Sequence, residues 1–247
     1  MNCNLVICLF VLDTKKNENI RKNDIKKIKV LLDNDNNLPT IKNDGKHMRT
    51  KVNKLLTNII GSDILHTQQV CTMSYDDSID TIYLGVTNIE NVKDLDNNYK
   101  LVDFSVENNN TILIDNDTYK YKTVEIVENK NIIYKQVINI QDEELKRKIK
   151  NILLSYKRIR VNIDTTDIIF KFMPRLFTLE DVRILYEMIK DEQVDKSNFR
   201  KKIAKYCKRV DNPEHEKTGF RPSQKYEFVP LKGDVWLWYW QLIIKVK

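Results

Sequence analysis

The sequence predicts an α+β fold in two domains, a mixed α/β sandwich over residues 1–140 and a helix-rich domain over residues 141–247. Three observations predict it. The 247 residues exceed one ordinary small domain and fit two of roughly 100 to 150 residues. Short β-branched runs separated by polar turns fill the first part, and helical periodicity takes over from about Gln141. The charge divides at the same place: residues 1–140 carry 18 basic and 19 acidic side chains, a net of −1, and residues 141–247 carry 24 and 16, a net of +8.

Composition narrows the class. With 41% hydrophobic and 31% charged residues, the chain can build a core and is not a disordered polymer. The opening run MNCNLVICLFVLDT has no basic residue before it and no small-residue cleavage site after it, so it reads as a buried strand rather than a signal peptide. No apolar stretch approaches the roughly 20 residues of a membrane span. The expectation is a soluble, cytoplasmic protein with no membrane partner. Cys3, Cys8, Cys71 and Cys207 form no CxxC pair, and His47, His66 and His215 stand at no zinc-site spacing from them. Buried reduced thiols and no metal or other cofactor are expected.

Strands are expected at residues 5–12, 28–32, 67–73, 81–86, 100–106 and 111–114, and around 123–127. Between the second and third, Met48, Val52, Leu55, Leu56, Ile59 and Ile60 recur at helical spacing, and Gly61 follows as a C-cap. Asp76, Asp77 and Asp80 read as a solvated acidic cluster.

In the second domain residues 143–157, rich in Glu, Leu, Lys and Arg, read as a linker helix. A helix over residues 164–172 ends at Pro174. Thr178 then offers an N-cap, Asp181 the reciprocal capping-box carboxylate, and Phe177 with Val182 the hydrophobic staple. Val182, Leu185, Tyr186 and Ile189 fall on one face, which makes this a supporting helix packed on a core. The signals repeat at Asp195, with Val194 and Phe199 as the staple, so a third helix starts at Lys196.

Through KSNFRKKIAKYCKR the residues Phe199, Ile203 and Cys207 recur every four and face inward. Lys196, Ser197, Asn198, Arg200, Lys201, Lys202, Lys205 and Lys208 are left outward. A helix entering the major groove of double-stranded DNA needs that division, because Asn and Arg can pair with base edges while Lys and Arg sit on phosphates. Residues 210–227 hold Pro213, Gly219 and Pro222 between two short β-like runs and read as a hairpin with a basic tip of Lys217, Arg221 and Lys225. Helix, helix and hairpin make a winged helix-turn-helix domain. All three tryptophans fall in residues 235–247, a tail expected to be partly buried in that domain.

The segment MPRLFTLEDVRILYEMIKDEQVDKSNFRKKI, followed by RPSQKYEF, closely resembles the DNA-binding domain of the Nudix-related transcriptional regulators over roughly residues 149–228. That resemblance implies a Nudix-like effector and dimerisation domain ahead of the winged helix. It also implies a homodimer acting in transcription regulation and an effector of the nucleotide-sugar class, such as ADP-ribose. KVLLDNDNNLP likewise resembles the start of a Nudix fold.

Setting Leu38-Pro39 and Gly61 on the Nudix box needs one residue deleted. It puts Thr40 and Ile41 at the glycines, Lys46 at the first Glu, Lys54 and Leu55 at Arg-Glu, and Asn58 and Ile59 at Glu-Glu. Those carboxylates would hold the divalent cations that polarise a diphosphate. Without them the domain is expected to be a sensor and not an enzyme. Two other readings compete. A Nudix-type nucleoside-diphosphate hydrolase with displaced metal ligands is disfavoured by the lost carboxylates. A protein-binding winged helix is disfavoured by the basic, Asn-containing helix face.

Overall fold

The computed structural model describes residues 2–14, 27–63, 66–128, 131–210 and 224–230, with the side chains of 125–128 and 131–136 left aside. It divides into two compact units, Met1–Arg158 and Ile159–Lys247.

The first unit is organised around β1 (Asn2–Asp13), whose residues 5–12 are apolar without a break and all buried. Such a strand needs cover on both faces. It pairs in parallel with β5 (Ser78–Asn88) from Asn2 to Leu12. Its other edge is shared by β3 (Thr40–Lys42), antiparallel at Asn4–Val6, and β2 (Lys27–Asp33), antiparallel at Phe10–Asp13. Antiparallel additions extend the sheet. β4 (His66–Ser74) lies beyond β5, and β6 (Tyr99–Glu107), β7 (Thr111–Ile114), β8 (Asp117–Glu128) and β9 (Asn131–Ile138) follow β2 in order.

On one face Leu5, Ile7, Leu9 and Val11 pack with Val52, Leu56, Ile59 and Ile60 of α1 (Met48–Ile60). On the other, the Phe10 ring lies 5.2 Å from Phe104 and 6.2 Å from Tyr156 of α2 (Glu143–Asn162). The result is the expected α/β sandwich. α1 has the bounds its periodicity predicts, and Gly61 closes it at φ 68° with its N–H on the Thr57 carbonyl.

Several features differ from the sequence reading. β3 and β9 were not anticipated, and Asp80 is not solvated: it is 2% exposed. Arg147 Nε of α2 donates to Asp80 Oδ2 at 2.8 Å, and Asn4 Nδ2 donates to Oδ1 at 3.0 Å. The Arg147 guanidinium also lies 3.9 Å over the Tyr75 ring. A buried charge is tolerated only when paired and hydrogen-bonded, and this pair fastens α2 to β5. The compact units part inside α2, between Arg158 and Ile159.

α2 runs to Asn162, beyond the expected end at residue 157. The Thr165 and Thr166 amides return to the Asn162 carbonyl at 3.1 and 2.8 Å, and the Thr166 hydroxyl adds a third bond there at 2.8 Å. Threonine side chains that bond the backbone in this way compete with continuation of the helix. The helix expected over 164–172 therefore shrinks to one turn, α3 (Ile168–Lys171). Asp164 instead receives Tyr186 Oη at 2.9 Å and Lys190 Nζ at 2.6 Å from α4 (Leu179–Lys190).

Gly45 and Gly61 both adopt left-handed φ, at 79° and 68°. A Cβ on Gly45 would meet open space, whereas one on Gly61 would lie 2.8 Å from the Asp94 Cβ and amide nitrogen. Gly45→Ala should cost about 1 kcal/mol for the backbone alone, and Gly61→Ala about 2–3 kcal/mol because the Asp94 loop must also shift. Urea denaturation of the intact protein measures both. Equal losses would contradict the packing of that loop on the end of α1.

Candidate nucleic-acid interface

α4 starts where the sequence places it. Thr178 Oγ1 accepts the Asp181 amide at 3.1 Å, and Asp181 Oδ2 accepts the Thr178 amide at 2.8 Å. Its inward face, Val182, Leu185, Tyr186 and Ile189, is buried, and the Tyr186 ring lies 5.3 Å from Phe199 of α5 (Lys196–Ile203). The α4–α5 connection is pinned twice: Glu187 Oε1 accepts the Val194 amide at 2.9 Å, and Asp195 Oδ1 accepts the Asn198 amide at 2.7 Å. With Phe199 and Ile203 buried, Lys196, Ser197, Asn198, Arg200 and Lys201 are exposed and Lys202 is half-buried.

The expected continuation of this helix through Cys207 and Lys208 is corrected. α5 ends at Ile203, Ala204–Tyr206 forms one tight turn, and β10 (Cys207–Val210) follows. The tight turn has about three residues per turn, so Tyr206 and not Cys207 is the next side chain to enter the core after Ile203. Cys207–Val210 is then drawn into an antiparallel ladder with β11 (Lys225–Phe228). Exposed Lys205 stands on the turn. Lys208 stands on the strand, 3.6 Å from Glu227. Lys225 lies within the paired ladder opposite Val210, not at the hairpin tip.

Phe177 joins this small sheet through two backbone bonds with Tyr226, at 3.1 and 2.8 Å, and Phe228 stacks on Phe170 at 4.3 Å. Pro213, Lys217, Gly219, Arg221, Pro222 and the tail 235–247 lie outside the described residues. All four cysteines are free thiols. Burial pushes Cys8 and Cys207 up to about 12, which makes both poor nucleophiles.

Sequence reading missed a charge network under α5. Glu180, on the first turn of α4, receives Arg183 NH2 on Oε1 at 2.8 Å and Arg183 Nε on Oε2 at 3.3 Å. It also receives Lys196 Nζ at 3.2 Å and Arg200 NH2 at 3.3 Å. Arg183 reaches Glu187 as well, the same side chain that pins Val194. The spacing Glu180, Arg183, Glu187 is an i, i+3, i+7 helix pattern and was visible in the sequence. The contacts to α5 were not.

The positions that the sequence alignment sets on the Nudix box lie on β3, the following loop and α1. Thr40 and Ile41 are on β3, and Lys46 is exposed in the loop with its amide on Asp44 Oδ1 at 3.0 Å. Lys54 and Asn58 are one turn apart on the exposed face of α1, Leu55 and Ile59 turn toward the core, and Gly61 caps the helix. Among the described residues no three Asp, Glu, His or Cys side chains converge as a metal would require.

Residues 169–228 match the family described as the NrtR DNA-binding winged helix domain. The described residues of that segment carry α3, α4, α5, the tight turn and the β10–β11 ladder, the element order of a winged helix. Solved structures share the fold across nearly the whole chain. A MutT/nudix family protein from Enterococcus faecalis aligns with a TM-score of 0.64 at 14% identity, over 93% of this chain and 88% of its own. NrtR from Shewanella oneidensis, complexed with a 27mer DNA, aligns at 0.60 and 13%, over 92% and 93%. A second structure of Shewanella oneidensis NrtR aligns at 0.58 and 12%, over 97% of each chain. Identities this low carry the fold alone: a Nudix-like mixed α/β domain followed by a winged helix. No curated protein matches the sequence.

Between α4 and α5 the Arg183 hydrogen bond, followed by Lys196, pushes the Glu180 carboxyl from its ordinary 4.5 down to about 2. A depressed carboxylate contributes stability that is present above its unfolded value and lost as pH falls through its folded one. Glu180→Gln should therefore flatten the part of the acid stability loss between about pH 4.5 and 2 that belongs to this carboxylate. Thermal melts across that range measure it, and identical acid limbs for the two proteins would contradict the pairing.

Proposed function

We propose that this chain is a DNA-binding transcriptional regulator in which α5 reads sequence in the major groove of double-stranded DNA. One observation carries the reading. α5 is fixed by its cap and its two buried side chains, and it turns Ser197, Asn198 and Arg200 outward together, with Lys196 and Lys201 beside them. Short hydrogen-bonding groups and an Arg at the start of a docked helix suit base edges, and surrounding cations suit phosphates. The excess of +8 over residues 141–247 supports a polyanion partner. Shewanella oneidensis NrtR, of like fold, is complexed with DNA.

Lys205 on the tight turn and Lys208 and Lys225 on β10 and β11 take the DNA backbone in this reading, and Arg221, outside the described residues, is assigned the same role. Two copies reading paired half-sites make a cytoplasmic homodimer the natural working form. Residues 1–140 serve as the effector and dimerisation domain and 141–247 as the DNA-binding part, with α2 as the linker. The effector is a metabolite of nucleotide-sugar class such as ADP-ribose.

The same reading makes the Nudix-like domain catalytically silent, since Lys46, Lys54 and Asn58 stand where a hydrolase has carboxylates to hold a divalent cation. No Mg²⁺-dependent hydrolysis of ADP-ribose is expected. EDTA-sensitive turnover above about 1 per second, within the ordinary enzyme range, would overturn that assignment.

Salt titrations of binding separate the roles on α5 and the hairpin. Asn198→Ala or Arg200→Ala should lose about 1–3 kcal/mol on a selected operator and far less on random DNA. Lys205→Ala or Lys208→Ala should weaken both DNAs alike and lower the salt slope by about one per contact. Equal losses for all four variants on both DNAs would mean that α5 does not read sequence.

A further inference from the structure

We propose that Glu180 is a positioning residue for sequence reading, a fixed carboxylate post that orients the Arg200 guanidinium on α5. The inference rests on the reading of α5 as the recognition helix. The Glu180 side chain is 15% exposed and is itself tied by two nitrogens of Arg183, whose other contact is Glu187. Glu187 in turn holds the Val194 amide, so the post is anchored to the backbone that leads into α5. Arg200 is 47% exposed and touches the post through NH2 alone among its described contacts. A guanidinium carries five N–H donors in a rigid fork, so one tethered nitrogen narrows the fork's direction and leaves donors for a base.

The same carboxylate has a second effect of opposite sign. Exposed ion pairs are weak, so Glu180 cannot hold Lys196 or Arg200 away from DNA. A fixed negative charge beside the helix nevertheless repels phosphate on every sequence. Glu180 thus subtracts from binding to any DNA and returns part of that loss only where Arg200 finds its base, which is how a repulsive element creates specificity. Lys196, a compact ammonium without a fork, gains no direction from the contact and takes a phosphate.

The test uses the intact protein. An operator is first selected by the wild type from a pool of random-sequence duplexes, and a scrambled duplex of equal length serves as the reference. Glu180→Gln should bind the scrambled duplex about three- to tenfold tighter and the operator no tighter, so that the specificity ratio falls by about the same factor. Glu180→Asp keeps the charge but shortens the reach; it should lose discrimination without tightening on the scrambled duplex.

In an Arg200→Ala background, Glu180→Gln should leave the ratio unchanged, since the residue it positions is gone. A ratio that Glu180→Gln leaves intact or raises would overturn the proposal, as would an equal fall with and without Arg200. So would equal weakening on both duplexes, the mark of a merely structural role. If the wild type selects no sequence and shows no salt-dependent binding, the DNA reading itself fails.

Discussion

Two buried side chains, Phe199 and Ile203, fix α5, and what the second unit presents follows from them. An eight-residue helix is too short to be stable alone in water. Its stability comes from packing, with Phe199 against Tyr186, and from hydrogen bonds that set its start, with Asp195 on the Asn198 amide and Glu187 on the Val194 amide. Once those are satisfied, the outward side is determined residue by residue. Asn198 and Arg200 flank Phe199 in sequence, so burying the ring turns both outward. The short helix, the tight turn and the ladder of β10 with β11 then bring the hairpin strands directly after it.

Local chemistry explains what the sequence made legible. α1 and α4 could be bounded because their ends carry signals that act within four residues: Gly61 at a left-handed φ, and the reciprocal Thr178 and Asp181 bonds. β1 was legible because eight apolar residues in a row fit only a strand covered on both faces. The end of α5 was not. Phe199, Ile203 and Cys207 recur every four, but a tight turn that brings in Tyr206 satisfies the core equally well. The choice is made by pairing with Lys225–Phe228, which local periodicity does not register. β3, at three residues, is too short to show a period.

Charged side chains were misjudged for the same reason. Asp80 reads as one of three neighbouring surface acids until Arg147, 67 positions later, is brought beside it by α2. Glu180 reads as an ordinary first-turn acid, favourable at a helix N-terminus. Its contacts to Lys196 and Arg200 exist only because α4 and α5 pack together. α1 keeps a core face and its Gly61 cap, with Lys54 and Asn58 exposed, and under the proposed alignment those two stand where a hydrolase has metal-binding carboxylates. In our reading the sheet domain has been kept as a scaffold for sensing and assembly, and the chemistry that acts on a partner has moved to the winged helix.

Docking of α5 in DNA is tested most directly by amide chemical-shift mapping of the intact protein with a selected duplex. The largest shifts are expected at Lys196–Lys201 and on β10 and β11, with the exposed face of α1 unmoved. Shifts that spare α5, or that gather around Lys46 and Lys54 instead, would contradict it.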